Sequence, residues 1–241
     1  MKLLIALLWL ALLPVAGAAE PSTLQVELLD EGLYRHISYH EVAGYGRVDS
    51  NGLVAVSAGR ALIVDTPWSA ADTEALLDWI EAQDYEPAGA LATHFHDDSA
   101  VGLGVLNARG VPTYASRQTN ALLLAQGSAV ATQVFDGESF TLGQGLLEVF
   151  FPGPGHSRDN LVVWLPRHQL LFGGCFVKGL AWNNLGFVGD AAVDRWDASL
   201  ARVQARYPEV QRVVPGHGDV GDGGLLAHTR TLVQTAEEAS R

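Results

Sequence analysis

Two histidines and an aspartate in the run Thr93-His94-Phe95-His96-Asp97-Asp98 are the side chains best suited to chemistry in this sequence. The run follows Ala88-Gly89-Ala90-Leu91-Ala92, which reads as a buried strand, and precedes Ala100 to Leu106, which reads as the start of a helix. Alternate side chains of an extended segment share a face, so His94 and His96 point the same way, and Asp98 lies in the turn beyond them. Two imidazoles and a carboxylate at a strand's end suit zinc better than calcium or magnesium, which prefer oxygen ligands.

The same arrangement recurs three times downstream. Phe150-Phe151-Pro152-Gly153-Pro154-Gly155-His156, Leu171-Phe172-Gly173-Gly174-Cys175 and Val213-Val214-Pro215-Gly216-His217-Gly218 each end an apolar run in a glycine-rich turn carrying a ligand type. Such turns hold a side chain in a restrained position. Six candidate ligands exceed the demand of one tetrahedral zinc and fit two. His94, His96 and His156 would hold one ion with its fourth position open to water, and Asp98, Cys175 and His217 would hold the second. Zinc brings the pKa of its water to about 7, and a pair of ions can clamp an attacking and a leaving atom.

The other histidines read as structural or solvated: His36 and His40 in strands, His168 in a turn and His228 on the last helix. Trp68 either borders the cleft or joins the core. Asp65 either hydrogen-bonds a metal-bound histidine or caps a turn.

The elements that must position these groups alternate in type. Leu24 to Leu29 and Leu33 to His40 read as paired strands around the turn Asp30-Glu31-Gly32, with a glycine-punctuated mobile loop from Val42 to Val48. Asn51-Gly52 is a strong turn signal leading into Leu53 to Val56 and Ala61 to Asp65. Ser69 and Asp72 form a capping pair for a helix reaching Asp84, with Leu76, Leu77, Trp79 and Ile80 apolar. Strands are expected at 88–93, 112–114, 140–142, 146–151, 161–165, 170–172 and 212–214. A helix starts at Ser116, another carries Trp196, Leu200, Val203 and Tyr207, and a last one carries Leu225, Leu232 and Ala236. Two strand runs, each followed by helices, predict an α+β fold in which two mixed sheets pack inside outer helices, a four-layer αββα sandwich.

Composition narrows the setting. Lys2, the apolar run Leu3 to Leu13 and the small residues Ala16-Gly17-Ala18 read as a secretory signal over 1–18, leaving 19–241 as one catalytic domain. The apolar run is short of a membrane span, and no second candidate follows, so no stable membrane association is expected. A net charge of −12 opposes binding to nucleic acid. Cys175 is the only cysteine, which excludes an internal disulfide, and an unpaired thiol in an oxidising compartment suits metal ligation. Beyond Lys2 the one lysine is Lys178, against thirteen arginines.

At these residues the sequence resembles the metallo-β-lactamases, in particular the first subclass of the class B enzymes. The resemblance is carried by T-H-F-H-D-D at 93–98, G-H-S-R-D-N at 155–160, G-G-C-F-V-K at 173–178 and P-G-H-G at 215–218, in matching order. S-N-G-L at 50–53 and V-D-T-P-W at 64–68 are similar too, so the whole mature chain is covered. It implies a periplasmic hydrolase with two zinc ions that opens the β-lactam ring of penicillins, cephalosporins and carbapenems and confers antibiotic resistance. By that resemblance a zinc-bound hydroxide attacks the lactam carbonyl, the three-histidine zinc polarises the carbonyl oxygen, and the ion at Asp98, Cys175 and His217 stabilises the leaving nitrogen. Asp98 then counts as a catalytic residue, Lys178 pairs with the substrate carboxylate, and the loop around Tyr45 folds over a small-molecule substrate bound by a monomer.

Two departures from the family pattern stand out. Phe187 occupies the place, twelve residues after Cys175, where many members carry asparagine; Asn184 is close but out of register. Ser99 stands where other branches of the superfamily place a further metal-binding histidine, and those branches set aspartate where this chain has Cys175. Two other readings share the sequence: the same zinc centre acting on another ester, thioester or lactone, and a periplasmic zinc-binding or chaperone protein without chemistry.

Overall fold

Apolar residues in this chain come in unbroken runs, which is the pattern of strands covered on both faces. A computed structural model, describing residues 24–239, shows how that cover is made. The expected signal at 1–18 lies outside the described residues.

In the first sheet, β1 (Gln25–Asp30), β2 (Leu33–Val42), β3 (Gly46–Ser57) and β4 (Arg60–Val64) form an antiparallel meander. Helix α1 (Ala70–Ala82) crosses to β5 (Glu86–Leu91), which pairs parallel with β4. The short α2 (Asp97–Ala100) and α3 (Leu103–Ala108) lead to β6 (Thr113–Ser116), and α4 (Arg117–Ala125) leads to β7 (Gln133–Phe135), both strands added in parallel. The result is a seven-stranded sheet in sequence order. The second sheet continues with β8 (Ser139–Leu142), β9 (Leu147–Phe150), β10 (Val162–Leu165) and β11 (Leu170–Gly174), all antiparallel. After α5 (Val193–Arg206), β12 (Arg212–Pro215) joins β11 in parallel, and α6 (Gly224–Ala239) follows.

The two-residue period of each strand sorts its side chains between layers. Leu53, Ala55, Leu62 and Val64 of the first sheet meet Val163, Leu165, Leu170, Phe172 and Val214 of the second in the central core. Their neighbours point outward. Val54, Val56 and Ile63 pack under Leu76, Leu77 and Ile80 of α1 and Leu106 of α3. Val162, Leu171 and Val213 pack under Trp196, Leu200 and Val203 of α5 and Leu225, Leu226 and Val233 of α6. Helix, sheet, sheet and helix therefore stack in that order, the αββα sandwich expected. Helix starts follow local chemistry: Ser69 Oγ accepts the Asp72 N–H and Ser116 Oγ accepts the Thr119 N–H.

Three local expectations are corrected. The segment 42–48 is mostly ladder, since β2 runs to Val42 and β3 starts at Gly46, leaving a three-residue tip at Ala43-Gly44-Tyr45. Strand β7 was not foreseen, because Gln133-Val134-Phe135 is too short to show a period. Asn51-Gly52 is not a turn but the middle of β3, where Gly52 pairs with His36. The glycine is needed for space: a Cβ there would run into the His36 imidazole and lie 2.7 Å from the Val64 carbonyl oxygen. His36 is buried and donates through Nε2–H to the Asp65 carbonyl at 3.0 Å, and burial holds its pKa down at about 4. It cannot move aside without losing that contact.

Gly52→Ala should therefore lower the unfolding free energy by about 1–3 kcal/mol, the usual cost of overpacking a filled interior. The midpoint of urea unfolding measures it, and an unchanged midpoint contradicts the close packing.

Candidate metal centre

Strand β9 runs antiparallel to β10, β10 antiparallel to β11, and β11 parallel to β12. So β9, β11 and β12 share one direction and release the His156, Cys175 and His217 segments at one end of the second sheet. In the first sheet β5 releases His94 and His96, and the halves meet where Leu161 N–H donates to the Thr93 carbonyl at 2.9 Å.

All six residues singled out from the sequence come together. Cys175 Sγ lies 3.1 Å from Asp98 Oδ2 and 3.3 Å from His217 Nε2, and His217 Nε2 lies 3.3 Å from Asp98 Oδ2. A tetrahedral zinc with bonds near 2.0–2.3 Å would separate its ligand atoms by about 3.3–3.7 Å. The imidazoles of His94, His96 and His156 surround one another with ring centroids 4.7, 5.1 and 5.0 Å apart. His96 Nδ1 lies 3.1 Å from His156 Nε2. Asp98 touches both sets, its Oδ1 being 3.5 Å from His94 Nε2. It sits in the first turn of α2, with His96 as the N-cap residue, rather than in a free turn.

The donor set fits a metal on physical grounds. His94 Nε2 and Asp98 Oδ1 are buried with no hydrogen-bond partner, an expensive state unless a cation lies between them. Burial holds the His94 pKa at about 3 and that of His156 well below its usual range, so both rings keep a free lone pair. Burial, reinforced by the Asp98 charge, pushes the Cys175 thiol well above its usual range. A nearby cation reverses that effect and makes the thiolate the stable form.

Neighbouring backbone fixes these groups. Gly216 is required because a Cβ would strike Cys175, only 2.6 Å from its backbone nitrogen. Asn51 Nδ2 donates to the Pro215 carbonyl at 2.9 Å and the Gly218 carbonyl at 2.7 Å, while its N–H donates to the Gly216 carbonyl at 2.8 Å. Asp49 accepts the Gly218 N–H through Oδ2 at 2.6 Å, and its carbonyl lies 2.5 Å from His217 Nδ1. Ser50 Oγ donates to the Asp98 carbonyl at 3.1 Å. Sequence reasoning missed Asp49 and the role of Asn51, whose only local signal was a misread turn. It also missed Asp190, whose Oδ2 lies 3.1 Å from His96 Nε2. Asp65 does neither of the things expected of it: its carboxylate accepts from the Thr93 N–H, the Thr93 hydroxyl and the Ser99 hydroxyl. That bonding squares the strand end before His94, from a backbone held at φ 58°.

A cavity of about 450 Å³ opens over the cluster, lined by His96, Asp98, His156, Lys178 and His217 on its floor. Tyr45, Val48, Trp68, Trp182 and Phe187 make its apolar walls, so Trp68 borders the cleft. His40 also lines it, beside Trp68 at 5.4 Å between ring centroids, whereas it was expected to be only structural or solvated. His36, His168 and His228 are structural: His168 Nδ1 pairs with Asp30 Oδ2 at 3.1 Å, and His228 Nε2 meets the Trp182 carbonyl at 2.9 Å. Asn184 is spent on its own turn, its Oδ1 accepting the Gly186 N–H at 2.8 Å.

An αββα sandwich with a zinc-type donor cluster at the ends of its strands defines a metallohydrolase architecture. The metallo-β-lactamase superfamily model matches residues 45–217. A metallo-β-lactamase type 2 of Pseudomonas aeruginosa is 44% identical over 214 residues, 89% of this chain and 85% of that one. One of Bacteroides fragilis is 35% identical over 236 residues, 95% of each chain. The solved structure of TMB-1 superposes with a TM-score of 0.88 at 47% identity, covering 90% of this chain and 100% of that chain. The chain belongs to the metallo-β-lactamase superfamily.

Asn51→Ala leaves the Pro215 and Gly218 carbonyls without their buried donor, a loss of about 1–3 kcal/mol. The variant should fold and bind zinc more weakly, as read by competition with a chromogenic chelator. Affinity equal to that of the parent would mean Asn51 does not hold the His217 turn.

Proposed function

We propose that this chain is an exported zinc β-lactamase that opens the ring of penicillins, cephalosporins and carbapenems and so confers resistance. The carrying observation is the convergence of six zinc-ligand side chains in overlapping groups whose ligand atoms lie within 4.8 Å of one another, with His96, Asp98, His156 and His217 opening onto one cavity. Using all six calls for two ions, one at His94, His96 and His156 and one at Asp98, Cys175 and His217. Bound zinc supplies a water activated near neutral pH and a Lewis acid for developing negative charge.

The chain's own residues do the rest. Asp98 is the catalytic carboxylate of this reading: it faces both ligand sets and can orient the attacking water through an oxygen accepting its proton. Lys178 lines the same cavity and meets the substrate carboxylate, an ion pair made in the ground state. Tyr45, Trp68 and Phe187 of the aromatic wall seat the bicyclic scaffold and displace water. Phe187 offers no amide where relatives often carry one, so stabilising the lactam oxygen would fall to a zinc held by His94, His96 and His156. Residues 1–18 act as the leader, 19–241 as the catalytic domain working as a periplasmic monomer. No helix among the described residues is long and apolar enough to cross a membrane.

Nitrocefin turnover by the purified chain, abolished by chelator and restored by zinc, is the expected result; zinc-replete protein with no turnover would point to another cyclic ester or thioester. Zinc stoichiometry should be two per chain and fall to one in Cys175→Ser. Lys178→Ala should raise KM for carboxylate-bearing β-lactams about tenfold or more while kcat changes little, as loss of a charge-assisted contact predicts. Collapse of kcat at constant KM would remove Lys178 from this role.

A further inference from the structure

Lys178 poses a physical problem that the proposed reaction does not solve. Its side chain is only 4% exposed, and its ammonium makes no ion pair or hydrogen bond among the described residues. Burying a cation is costly, and Cys175 and Asp98 nearby offset only part of that cost. Two indole rings flank it: Nζ lies 5.8 Å from the Trp182 ring centroid and 5.6 Å from that of Trp196. Both distances fall within reach of a cation–π attraction, and tryptophan has the strongest such face.

The two rings are themselves fixed. Trp196 is fully buried on α5 and donates its indole N–H to the Phe176 carbonyl at 3.0 Å. Trp182 is a loop residue held at three points. Its carbonyl meets His228 Nε2 on α6 at 2.9 Å, its ring packs 6.0 Å from the His217 ring, and Gly186 lies so close that an added Cβ would be 3.2 Å from the indole. On the main chain, the Lys178 N–H donates to Thr229 Oγ1 at 2.8 Å, so α6 anchors both the lysine and one of its rings.

We propose that Trp182 is a positioning residue which, with Trp196, clamps the Lys178 ammonium between two indole faces and presents it to an anion entering the cleft. A free lysine tip would have to be ordered when the anion arrives, losing rotamer freedom at that moment. The clamp imposes that order beforehand. It is also weaker than an ion pair, so the ammonium can exchange ring contact for a carboxylate without a large penalty. The substrate side of this inference rests on the β-lactamase reading; the clamp itself does not.

The test exploits the scarcity of lysine. Zinc-loaded protein grown on lysine carrying 13C at Cε gives signals only from Lys178 and, if the leader is retained, Lys2. The clamp requires the Lys178 Cε–Hε signal to lie upfield of the free-lysine position through the ring currents of both indoles. Trp182→Leu should shift it back toward that position, with Trp182→Phe between. In kinetics, Trp182→Leu should raise KM for carboxylate-bearing β-lactams about fivefold with kcat within about twofold. The same change in a Lys178→Ala background should add nothing. A parental Lys178 signal at the free-lysine position overturns the clamp, and so does an equal KM effect in both backgrounds, which would make Trp182 a direct substrate contact. Should no β-lactam be hydrolysed at all, the earlier functional reading fails while the resonance still decides the clamp.

Discussion

The joint between the two sheets at their ligand-bearing end is the constraint on which the remainder depends. Each sheet alone supplies an incomplete donor set: His94, His96 and Asp98 come from the first, and His156, Cys175 and His217 from the second. What sets the distance between them is a handful of buried polar contacts, with Asn51 at their centre, reaching from the middle of β3 to the carbonyls on either side of His217. The Leu161–Thr93 bond and the Asp49 contacts complete the joint. Apolar packing in the central core brings the sheets together but carries no directional information; the hydrogen bonds supply the register.

Close backbone approach is the second device. Gly216 and Gly52 sit where any side chain would collide, one with Cys175 and the other with His36. They mark the two places where main chain from one element must pass against a functional or structural side chain of another. The left-handed Asp65 belongs with them, since its carboxylate gathers Thr93 and Ser99 just ahead of His94 and so aims the whole T-H-F-H-D-D run.

Much of this was legible in the sequence, because ligand chemistry and strand period are local properties. His94 and His96 at alternate positions, and a histidine or cysteine after each of three apolar strands, declared themselves by type and spacing. Ser69 and Ser116 likewise placed two helix starts to the residue. Long-range roles left no such trace. Asn51-Gly52 carries strong turn chemistry, yet tertiary contacts overrode it: the amide has better partners on the far sheet, and the glycine makes room for an imidazole. Asp49, Asp190 and His40 looked like ordinary polar residues of strand and loop, and only the folded chain shows what they face. Strand β7 escaped for the opposite reason, being too short for any periodicity to register.

The ligands are spread from position 94 to position 217, so an ion held by Asp98, Cys175 and His217 is a cross-link spanning about half of the chain. Binding that favours the native state over the unfolded one adds to stability in proportion to the logarithm of free metal over its dissociation constant. Starvation for zinc would thus do more than silence the enzyme. It would loosen the tie between the two halves of the sandwich and leave the chain open to proteases in whatever compartment holds it, so metal supply sets its lifetime as well as its activity.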